Sequence, residues 1–287
     1  MLIVTGASGK LGRRIVEAML DHVPADQIGV SVRDPGKLPD LAARGIRVRE
    51  GDYADADSLR RAWNGARRIL LVSSNAAAHG GDPLAQHATA IDVARELGVE
   101  RVLYTAQIST SPDSRFPPGR DHAATEALLS GSGLAWTSLR HGFYADSAVE
   151  MNARGFAQGA IRGPEDGKVS WVTHDDLAEV DALFLAGEAV VEGPTAPLTG
   201  TEALDLADLA EIASAVSGRP IERQITSEES MVDGAKHADL PQEVIDVMRG
   251  YYRAAKAGEF ATVDPTLASL LGRPPRTMRD VLTAALG

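Results

Sequence analysis

The stretch LIVTGASGKLG, residues 2–12, decides the fold of the N-terminal half of this 287-residue chain. An apolar run leads into a glycine-rich turn, and the residues after the turn carry apolar side chains at helical spacing. A strand, a glycine turn and a helix in this order predict a dinucleotide-binding motif. We expect Gly6 to allow the tight turn, Gly9 to let the backbone approach a pyrophosphate, and Gly12 to let helix and strand pack closely. The N-terminus of the helix would then offer free N–H groups to the phosphates.

The end of the second predicted strand, residues 27–32, indicates which dinucleotide binds. A site for NAD usually carries Asp or Glu there, ~20 residues after the glycines. Here Arg33 stands at the tip, Asp34 follows it, and Lys37 comes one turn later. The planar guanidinium of Arg suits a 2′-phosphate, and Lys10 would add a second positive charge. We therefore predict NADPH over NADH, with Asp34 as the residue that argues for NADH.

The amino-acid composition argues against several classes of partner and of chemistry. Apolar residues make up 44% of the chain, which is enough for a sizeable core, and the net charge is −11. Neither nucleic acid nor an anionic membrane is expected as a principal partner of so acidic a chain. The absence of cysteine excludes disulfides, thiol catalysis and thiolate metal sites. No signal segment and no apolar stretch of the ~20 residues needed to cross a bilayer is apparent, so a cytoplasmic protein is expected.

Short strands alternate with helices through the first half of the chain. The predicted helices include residues 35–43 and 120–130. This alternation predicts an α/β fold, a Rossmann-type doubly wound parallel sheet with a smaller C-terminal α/β cap. The expected domains are residues 1–150, with a segment near 170–190 that returns to them, and a substrate-binding cap mainly within 151–287. Ligands of such sheets bind outside the carboxyl ends of the strands.

Several further motifs keep a recognisable order and spacing along the chain. They lie at residues 4–12, 23–28, 32–35, 51–53, 70–74, 104–105, 139–144 and 270–272. Together they resemble the NmrA-like atypical short-chain dehydrogenases, and within that family the group that reduces quinones and triphenylmethane dyes. The resemblance runs nearly from end to end, and the motifs of its dinucleotide-binding half are the more specific ones.

The resemblance implies positions for the cofactor. Asp52 and Tyr53 would lie near the adenine, the Ser-Ser pair after the fourth strand would lie along the cofactor, and segment 139–144 would border the nicotinamide and the substrate. His141 stands where the family usually has Asn, which leaves the exact substrate open. The predicted cofactor-binding residues are Gly6, Ser8, Gly9, Lys10, Leu11, Gly12, Arg33, Lys37, Asp52, Tyr53, Ser73, Ser74, Asn75 and Gly142.

The usual catalytic motif of short-chain dehydrogenases, Tyr-x-x-x-Lys, occurs only at Tyr252–Lys256. It belongs at the start of the helix after the fifth strand, so we interpret this match as coincidence. Hydride transfer to an electrophilic quinone or dye needs orientation more than an acid. The predicted catalytic residues, as proton donors, are Tyr144, His141 and His122. The predicted substrate-pocket residues are Phe143, Tyr104 and Gln107.

Two acidic clusters have a structural interpretation. Thr173 and the carboxylates of Asp175 and Asp176 suit the start of a helix, as do the aspartates of residues 52–57, so no metal site is predicted.

The leading hypothesis is a flavin-free and metal-free NADPH-dependent reductase of quinones or similar conjugated aromatic acceptors. The alternatives are a redox-sensing regulator that binds NADP(H) without turnover and a reductase of one natural product. A homodimer is compatible with the sequence, which does not determine the oligomeric state or the physiological acceptor.

Overall fold

A computed structural model describes the backbone of residues 1–287 and all side chains except those of residues 78 and 79. The chain divides into two compact units. Unit 1 comprises Met1–Ala106, Asp121–Arg140 and Leu177–Thr195, and unit 2 comprises Gln107–Arg120, His141–Asp176 and Ala196–Gly287. Residues 107–120 and 141–150, which the sequence places in the N-terminal domain, pack with unit 2, and residues 177–195 pack with unit 1.

The described backbone forms strands and helices in alternation. The strands are β1 (Leu2–Thr5), β2 (Ile28–Val32), β3 (Arg47–Glu50), β4 (Arg68–Leu71), β5 (Arg101–Gln107), β6 (Ala135–His141), β7 (Phe143–Tyr144), β8 (Ala160–Gly163), β9 (Val169–Val172), β10 (Gly193–Pro194), β11 (Ala203–Leu204) and β12 (Glu222–Ile225). The helices are α1 (Lys10–Met19), α2 (Pro39–Ala43), α3 (Ala56–Trp63), α4 (Pro83–Glu96), α5 (Pro117–Gly131), α6 (Ala145–Gln158), α7 (His174–Ala186), α8 (Leu206–Ser217), α9 (Glu228–His237), α10 (Gln242–Lys256), α11 (Thr266–Leu271) and α12 (Met278–Leu286).

Seven strands form one sheet in the order β3-β2-β1-β4-β5-β6-β10. Val4 of β1 lies between Val30 of β2 and Leu70 of β4, both in parallel register. The strand order reverses between β1 and β4, which is the crevice where doubly wound sheets bind their ligands. Every residue of β1 and β2 is buried, as expected for central parallel strands covered on both faces. The predicted fold class is therefore confirmed.

Each unit has its own apolar core. The core of unit 1 surrounds Trp63 and Tyr104, both fully buried. The core of unit 2 surrounds Phe156, Trp171 and Phe260. Unit 2 also contains a small sheet in the order β11-β9-β7 and a parallel pair of β8 and β12. No helix in the described part of the chain is long and apolar enough to span a membrane.

The predicted helix over residues 35–43 is interrupted. A single 3-10 turn covers Pro35–Lys37, and α2 begins only at Pro39. Leu38 separates them with φ −128° and is buried. The reason is local, because a proline disfavours the helical conformation in the residue before it. The helix predicted at residues 120–130 begins earlier, at Pro117, where the first turn of a helix tolerates proline.

Candidate dinucleotide-binding site

A cavity of about 570 Å³ opens in unit 1 at the carboxyl ends of β1, β2 and β4. This is the crevice at which the strand order reverses. Its lining combines the glycine turn after β1 with the residues that follow the neighbouring strands. The lining residues are Thr5, Gly6, Ser8, Gly9, Ser31, Val32, Arg33, Gly51, Asp52, Tyr53, Val72, Ser73, Ser74, Asn75, Ala76, Gly81 and Gln86.

The glycine turn is built as its spacing predicts. Gly6 has φ +63°, in the left-handed region that favours glycine, and its carbonyl oxygen accepts a hydrogen bond from the Gly9 N–H at 2.9 Å. A side chain at Gly12 would place its Cβ 2.5 Å from the same carbonyl oxygen. Close packing of α1 on the turn therefore requires glycine at position 12.

The first turn of α1 has polar groups to offer a ligand. Gly9 precedes the helix and provides no side-chain cap, and the first turn contains no acidic residue. The first N–H groups of a helix have no partner within the helix, and their partial positive charge favours an anion. Since the cavity reaches Gly9, this helix end is suited to a pyrophosphate.

The tip of β2 carries the charge expected for a 2′-phosphate. Arg33 is exposed, lines the cavity, and forms no hydrogen bond or ion pair with any residue whose side chain is described. Asp34, the residue that argued for NADH, instead accepts a hydrogen bond from the Gly36 N–H at 3.0 Å and caps the following turn. A capping carboxylate is the common use of Asp at such a turn.

Five of the predicted cofactor-binding residues do not line this cavity: Lys10, Leu11, Gly12, Lys37 and Gly142. Leu11 is on the buried face of α1, and Lys37 is exposed on the turn after β2. Gly142 lies in unit 2, where its N–H donates to the Leu198 carbonyl oxygen at 2.8 Å. The other nine predicted residues all line it.

Several lining residues carry no signal in the sequence. Ser31 faces inward from β2, and its Oγ is buried without a hydrogen-bond partner among the described residues. A Cβ at Gly51 would lie 2.1 Å from that oxygen, so a larger residue there would require the Ser31 hydroxyl to move. Gln86 reaches the cavity from α4. The rule that ligands bind at strand ends could have suggested Ser31, but no rule of this kind indicates Gln86, which lies on a helix.

Tyr53 and Asp52 have structural contacts in addition to their place in the lining. The Tyr53 hydroxyl contacts the Thr5 hydroxyl and donates to the Val72 carbonyl oxygen at 2.9 Å. Burial raises the pKa of this phenol well above its usual value. Asp52 accepts from the Ala54 N–H, and Asp55 caps α3 through the Asp57 and Ser58 N–H groups. The interpretation of this acidic cluster as loop and helix caps is confirmed.

Unit 1 also holds two residues predicted for substrate and proton transfer. The Tyr104 side chain is fully buried in the core, and its hydroxyl lies 2.6 Å from the His122 Nδ1. Burial raises the pKa of Tyr104, so its hydroxyl stays protonated at neutral pH. Tyr104 thus has a packing role in the structure.

In unit 2, segment 141–143 is packed rather than open. His141 is fully buried, and its carbonyl oxygen accepts from the Ile108 N–H at 2.8 Å. Phe143 meets other aromatic rings at centroid distances of 5.2–5.9 Å. Those rings belong to Phe116, Trp171, Tyr251 and Phe260. Phe143 is therefore part of the aromatic core of unit 2.

Tyr144 belongs to a cluster with His174 and Asp146 that the sequence analysis did not predict. Its ring lies 4.3 Å from the His174 ring, centroid to centroid, and His174 Nδ1 lies 2.8 Å from the Asp146 Oδ2. His174 is the first residue of α7, and its neighbour Thr173 accepts from the Asp176 N–H. The interpretation of residues 173–176 as a helix start is confirmed. His174 nevertheless has a second role beside Tyr144.

Gln107 presents an orphaned donor. Its Oε1 accepts from the Ser109 N–H at 2.8 Å, and since a backbone N–H can only donate, this contact fixes the orientation of the amide. The Nε2 atom is then buried without a hydrogen-bond partner among the described residues. Buried polar atoms are nearly always bonded, so an orphaned one points to an absent ligand or water.

The Tyr-x-x-x-Lys string does not form the usual dyad. Lys256 is engaged by Glu165 at 2.6 Å on the exposed side of α10, and the ring of Tyr252 packs against Gly163. Among the described side chains, no group of three or more His, Cys, Asp or Glu residues could hold a metal ion.

Known proteins share this fold and sequence. The model of an NAD(P)H-binding family matches residues 6–186. Quinone oxidoreductase 2 of Escherichia coli strain K12 is 33% identical over 283 residues, which cover 98% of this chain and 96% of the relative. The structure of the NADPH-dependent E. coli quinone oxidoreductase with NADPH matches with a TM-score of 0.93 and 32% identity over the whole of both chains. That of Citrobacter sp. triphenylmethane reductase with NADP(H) matches with a TM-score of 0.90 and 30% identity, again over both whole chains.

The sheet, the cavity and these similarities define an NAD(P)H-dependent oxidoreductase of the Rossmann type. The chain belongs to the NAD(P)H-binding, NmrA-like family. Within it, the chain is related to the quinone and dye reductases.

Proposed function

We propose that this protein is an NADPH-dependent reductase that transfers a hydride to a quinone or a similar conjugated aromatic acceptor, without flavin or metal. The observation that carries the proposal is the cavity of unit 1. It combines an uncapped helix N-terminus with an arginine that has no partner among the described side chains. These two features match the two most charged parts of NADPH, the pyrophosphate and the 2′-phosphate.

The residues that line the cavity divide the binding of NADPH between them in this proposal. The N–H groups that begin α1 bind the pyrophosphate, and Arg33 binds the 2′-phosphate through two guanidinium N–H groups. The preference for NADPH over NADH rests on Arg33 and on the engagement of Asp34 by Gly36. Asp52, Tyr53 and residues 73–75 form the remaining wall against the cofactor. NADPH, when bound, supplies the hydride.

The acceptor needs an oriented carbonyl and a proton. We infer that the Gln107 Nε2 donates a hydrogen bond to a carbonyl oxygen of the quinone or similar substrate. The Ser109 N–H fixes the orientation of the amide, and Nε2 has no other hydrogen-bond partner among the described residues. Such a bond strengthens as negative charge develops on the oxygen during reduction. Tyr144 is the proposed proton donor, with the His174 ring packed against its own ring and His174 bonded in turn to Asp146. His141, His122, Phe143 and Tyr104 stay predictions, as do a cytoplasmic location and a homodimer.

The test is NADPH consumption by the purified protein with a panel of quinones, azo dyes and triphenylmethane dyes. We expect turnover with at least one class, no flavin absorbance in the purified protein, and no stimulation by added flavin or loss on chelation. Gln107→Leu should lower kcat/KM for a quinone about tenfold, mainly through kcat, as expected for one lost hydrogen bond to a developing charge, with NADPH affinity unchanged. Binding of NADPH without turnover on any acceptor would contradict the reductase and favour a redox sensor.

Tyr144→Phe tests whether the Tyr144 hydroxyl or water supplies the proton. The variant keeps the ring on His174 and removes only the hydroxyl. If Tyr144 is the acid, kcat should fall about 100-fold, the usual scale of general acid catalysis. If it falls less than threefold, water supplies the proton and the role of Tyr144 is wrong.

A further inference from the structure

The backbone that leaves β4 is held by three side chains in succession. The N–H groups of residues 72, 73 and 74 each donate to a side chain from a different element: β1, β5 and α4. These residues form one wall of the cavity in unit 1. The pairs are Val72 N–H to Thr5 Oγ1 at 2.9 Å, Ser73 N–H to Thr105 Oγ1 at 2.8 Å, and Ser74 N–H to His87 Nε2 at 2.9 Å.

His87 is the one titratable group among these three acceptors, and its contacts fix its protonation. A backbone N–H can only donate, so Nε2 must carry a lone pair to accept from Ser74. On the other side, the Thr125 hydroxyl donates its only hydrogen to the Asp121 carbonyl oxygen at 2.9 Å. Its oxygen must therefore accept from His87 Nδ1, 2.9 Å away. Both constraints require the same neutral tautomer, with the proton on Nδ1.

We propose that His87 is a positioning residue that joins α5 to the loop after β4 and holds the wall of the cavity in its binding conformation. The proposal rests on the proposed binding of NADPH in this cavity. A loop held in one conformation binds more tightly, because apparent affinity falls with the fraction of the protein that is competent to bind. His87 lies outside the cavity lining and acts through Ser74.

The surroundings of His87 keep it neutral. It is only 2% exposed, and the rings of Tyr53 and Tyr104 lie 6.3 and 5.2 Å from its own, centroid to centroid. Burial lowers the pKa of His87 to about 4, against the opposing effect of the Asp82 carboxylate. Of the titratable groups near Thr125 on α5, His122 contacts the Tyr104 hydroxyl and Glu126 pairs with Arg140.

Protonation of His87 would therefore disrupt the wall. A proton on Nε2 would face the Ser74 N–H, so an accepted hydrogen bond would become a contact between two donors. Since the folded pKa lies below the unfolded value, the contribution of His87 is complete above about pH 6.5 and is lost as the pH falls toward 4.

Two neutral substitutions separate the two hydrogen bonds. Gln places its terminal oxygen near the position of Nε2 and can still accept from Ser74, whereas the shorter Asn reaches only the position of Nδ1. We expect H87N to weaken NADP⁺ binding about tenfold at pH 7.5, the scale of one lost hydrogen bond with a donor left unpaired, and H87Q to restore most of it. His22→Asn, at a half-buried histidine of unit 1 that contacts Glu188, is the matched control.

The pH dependence of NADP⁺ affinity distinguishes the positioning role from a purely structural one, because a purely structural role predicts the same pH dependence in wild type and H87Q. Wild-type affinity for NADP⁺ should fall more steeply below about pH 5 than that of H87Q, and comparing the two cancels the titration of the ligand's own phosphate. Parallel profiles would overturn the proposal, as would a folded H87N variant that binds NADP⁺ as tightly as wild type.

Amide hydrogen exchange in the ligand-free protein tests His87 without the cofactor. We expect the amides of residues 73–75 to exchange at least tenfold faster in H87N than in wild type or H87Q. Unchanged exchange would refute the positioning role. If instead exchange responds to H87N while wild type binds no NADP⁺, the proposed function fails and the anchoring of the loop stands.

Discussion

Residues 72–75, which follow β4 in unit 1, and residues 141–143, which start at the end of β6 and belong to unit 2, differ in what surrounds them. Residues 72–75 after β4 border a cavity of about 570 Å³, and three of their four side chains are polar. The N–H groups of residues 72–74 are held by distant side chains. In residues 141–143, His141 and Gly142 are buried and Phe143 is half-buried against other aromatic rings. A binding surface for a dinucleotide needs backbone donors and little side-chain volume. In residues 141–143, by contrast, the side chains pack against their neighbours in unit 2.

The largest expected effect is loss of cofactor binding on blocking the glycine turn. Gly9→Val places a branched side chain at a position where even a Cβ lies 3.3 Å from the Gly6 carbonyl oxygen, at the helix end that faces the cavity. We expect NADPH affinity to fall at least ~100-fold, since two charge-assisted hydrogen bonds would be lost. Titration calorimetry measures this.

The control for that variant is Gly131→Val, at a glycine of unit 1 with open space around it. It should leave NADPH affinity within twofold of wild type. A folded Gly9→Val protein that binds NADPH normally would show that the cofactor does not lie on this turn.

The second effect tests the packed segment of unit 2. Phe143→Ala removes a ring that contacts four other aromatic rings, so the free energy of unfolding should fall by about 3 kcal/mol. NADPH affinity should remain, provided the protein is assayed while folded. Urea denaturation checks the first expectation, with Val263→Ala, at a side chain 45% exposed, as the control. A loss below 1 kcal/mol would contradict the packing role.

The third effect concerns which dinucleotide unit 1 prefers. Arg33→Ala should weaken NADPH binding by about 2 kcal/mol and change NADH binding less than twofold, because only NADPH carries the 2′-phosphate. Lys37→Ala, at the exposed lysine outside the cavity lining, should change either affinity less than threefold. Equal losses for both dinucleotides in Arg33→Ala would refute the assignment.

The smallest expected effect is the change in the free energy of unfolding when a buried tyrosine hydroxyl is removed, once in each unit. The Tyr104 hydroxyl is bonded to His122, whereas the Tyr251 hydroxyl is buried with no partner among the described side chains. Tyr104→Phe should lower the free energy of unfolding by about 1 kcal/mol, and Tyr251→Phe should leave it unchanged or raise it by a similar amount. Thermal or urea unfolding of both variants decides this. Equal destabilisation would mean that water satisfies Tyr251.

Local sequence was a good guide where structure follows from neighbouring residues. The glycine turn, the order of strands and helices and the helix caps at Asp55 and Thr173 could all be predicted, because each depends on periodicity or on contacts within a few positions. The helix predicted over residues 35–43 is wrong at Leu38, because Pro39 disfavours the helical conformation in the residue before it.

Distant contacts could not be predicted. Ser31 and Gln86 belong to the cavity lining, and no local sequence pattern predicts this. His174 packs against Tyr144, which is 30 positions away in the sequence, and no local pattern predicts that contact either. The contacts of Phe143 could not be predicted from local sequence either, and its aromatic side chain led to the prediction of a substrate-pocket residue. Its four ring partners come from three separate stretches of unit 2.

The sequence by itself determined the class of this protein, because a glycine turn between a strand and a helix, followed by Arg33 at the next strand end, has few physical uses other than a dinucleotide. Only the tertiary structure decided how that site is held. The anchor of Val72 is Thr5, 67 residues away, and the anchor of Ser74 is His87, whose tautomer depends on Thr125 in another helix. Such pairs exist only once the sheet has brought its strands side by side, since hydrogen bonds between remote residues depend on strand order and packing rather than on local periodicity.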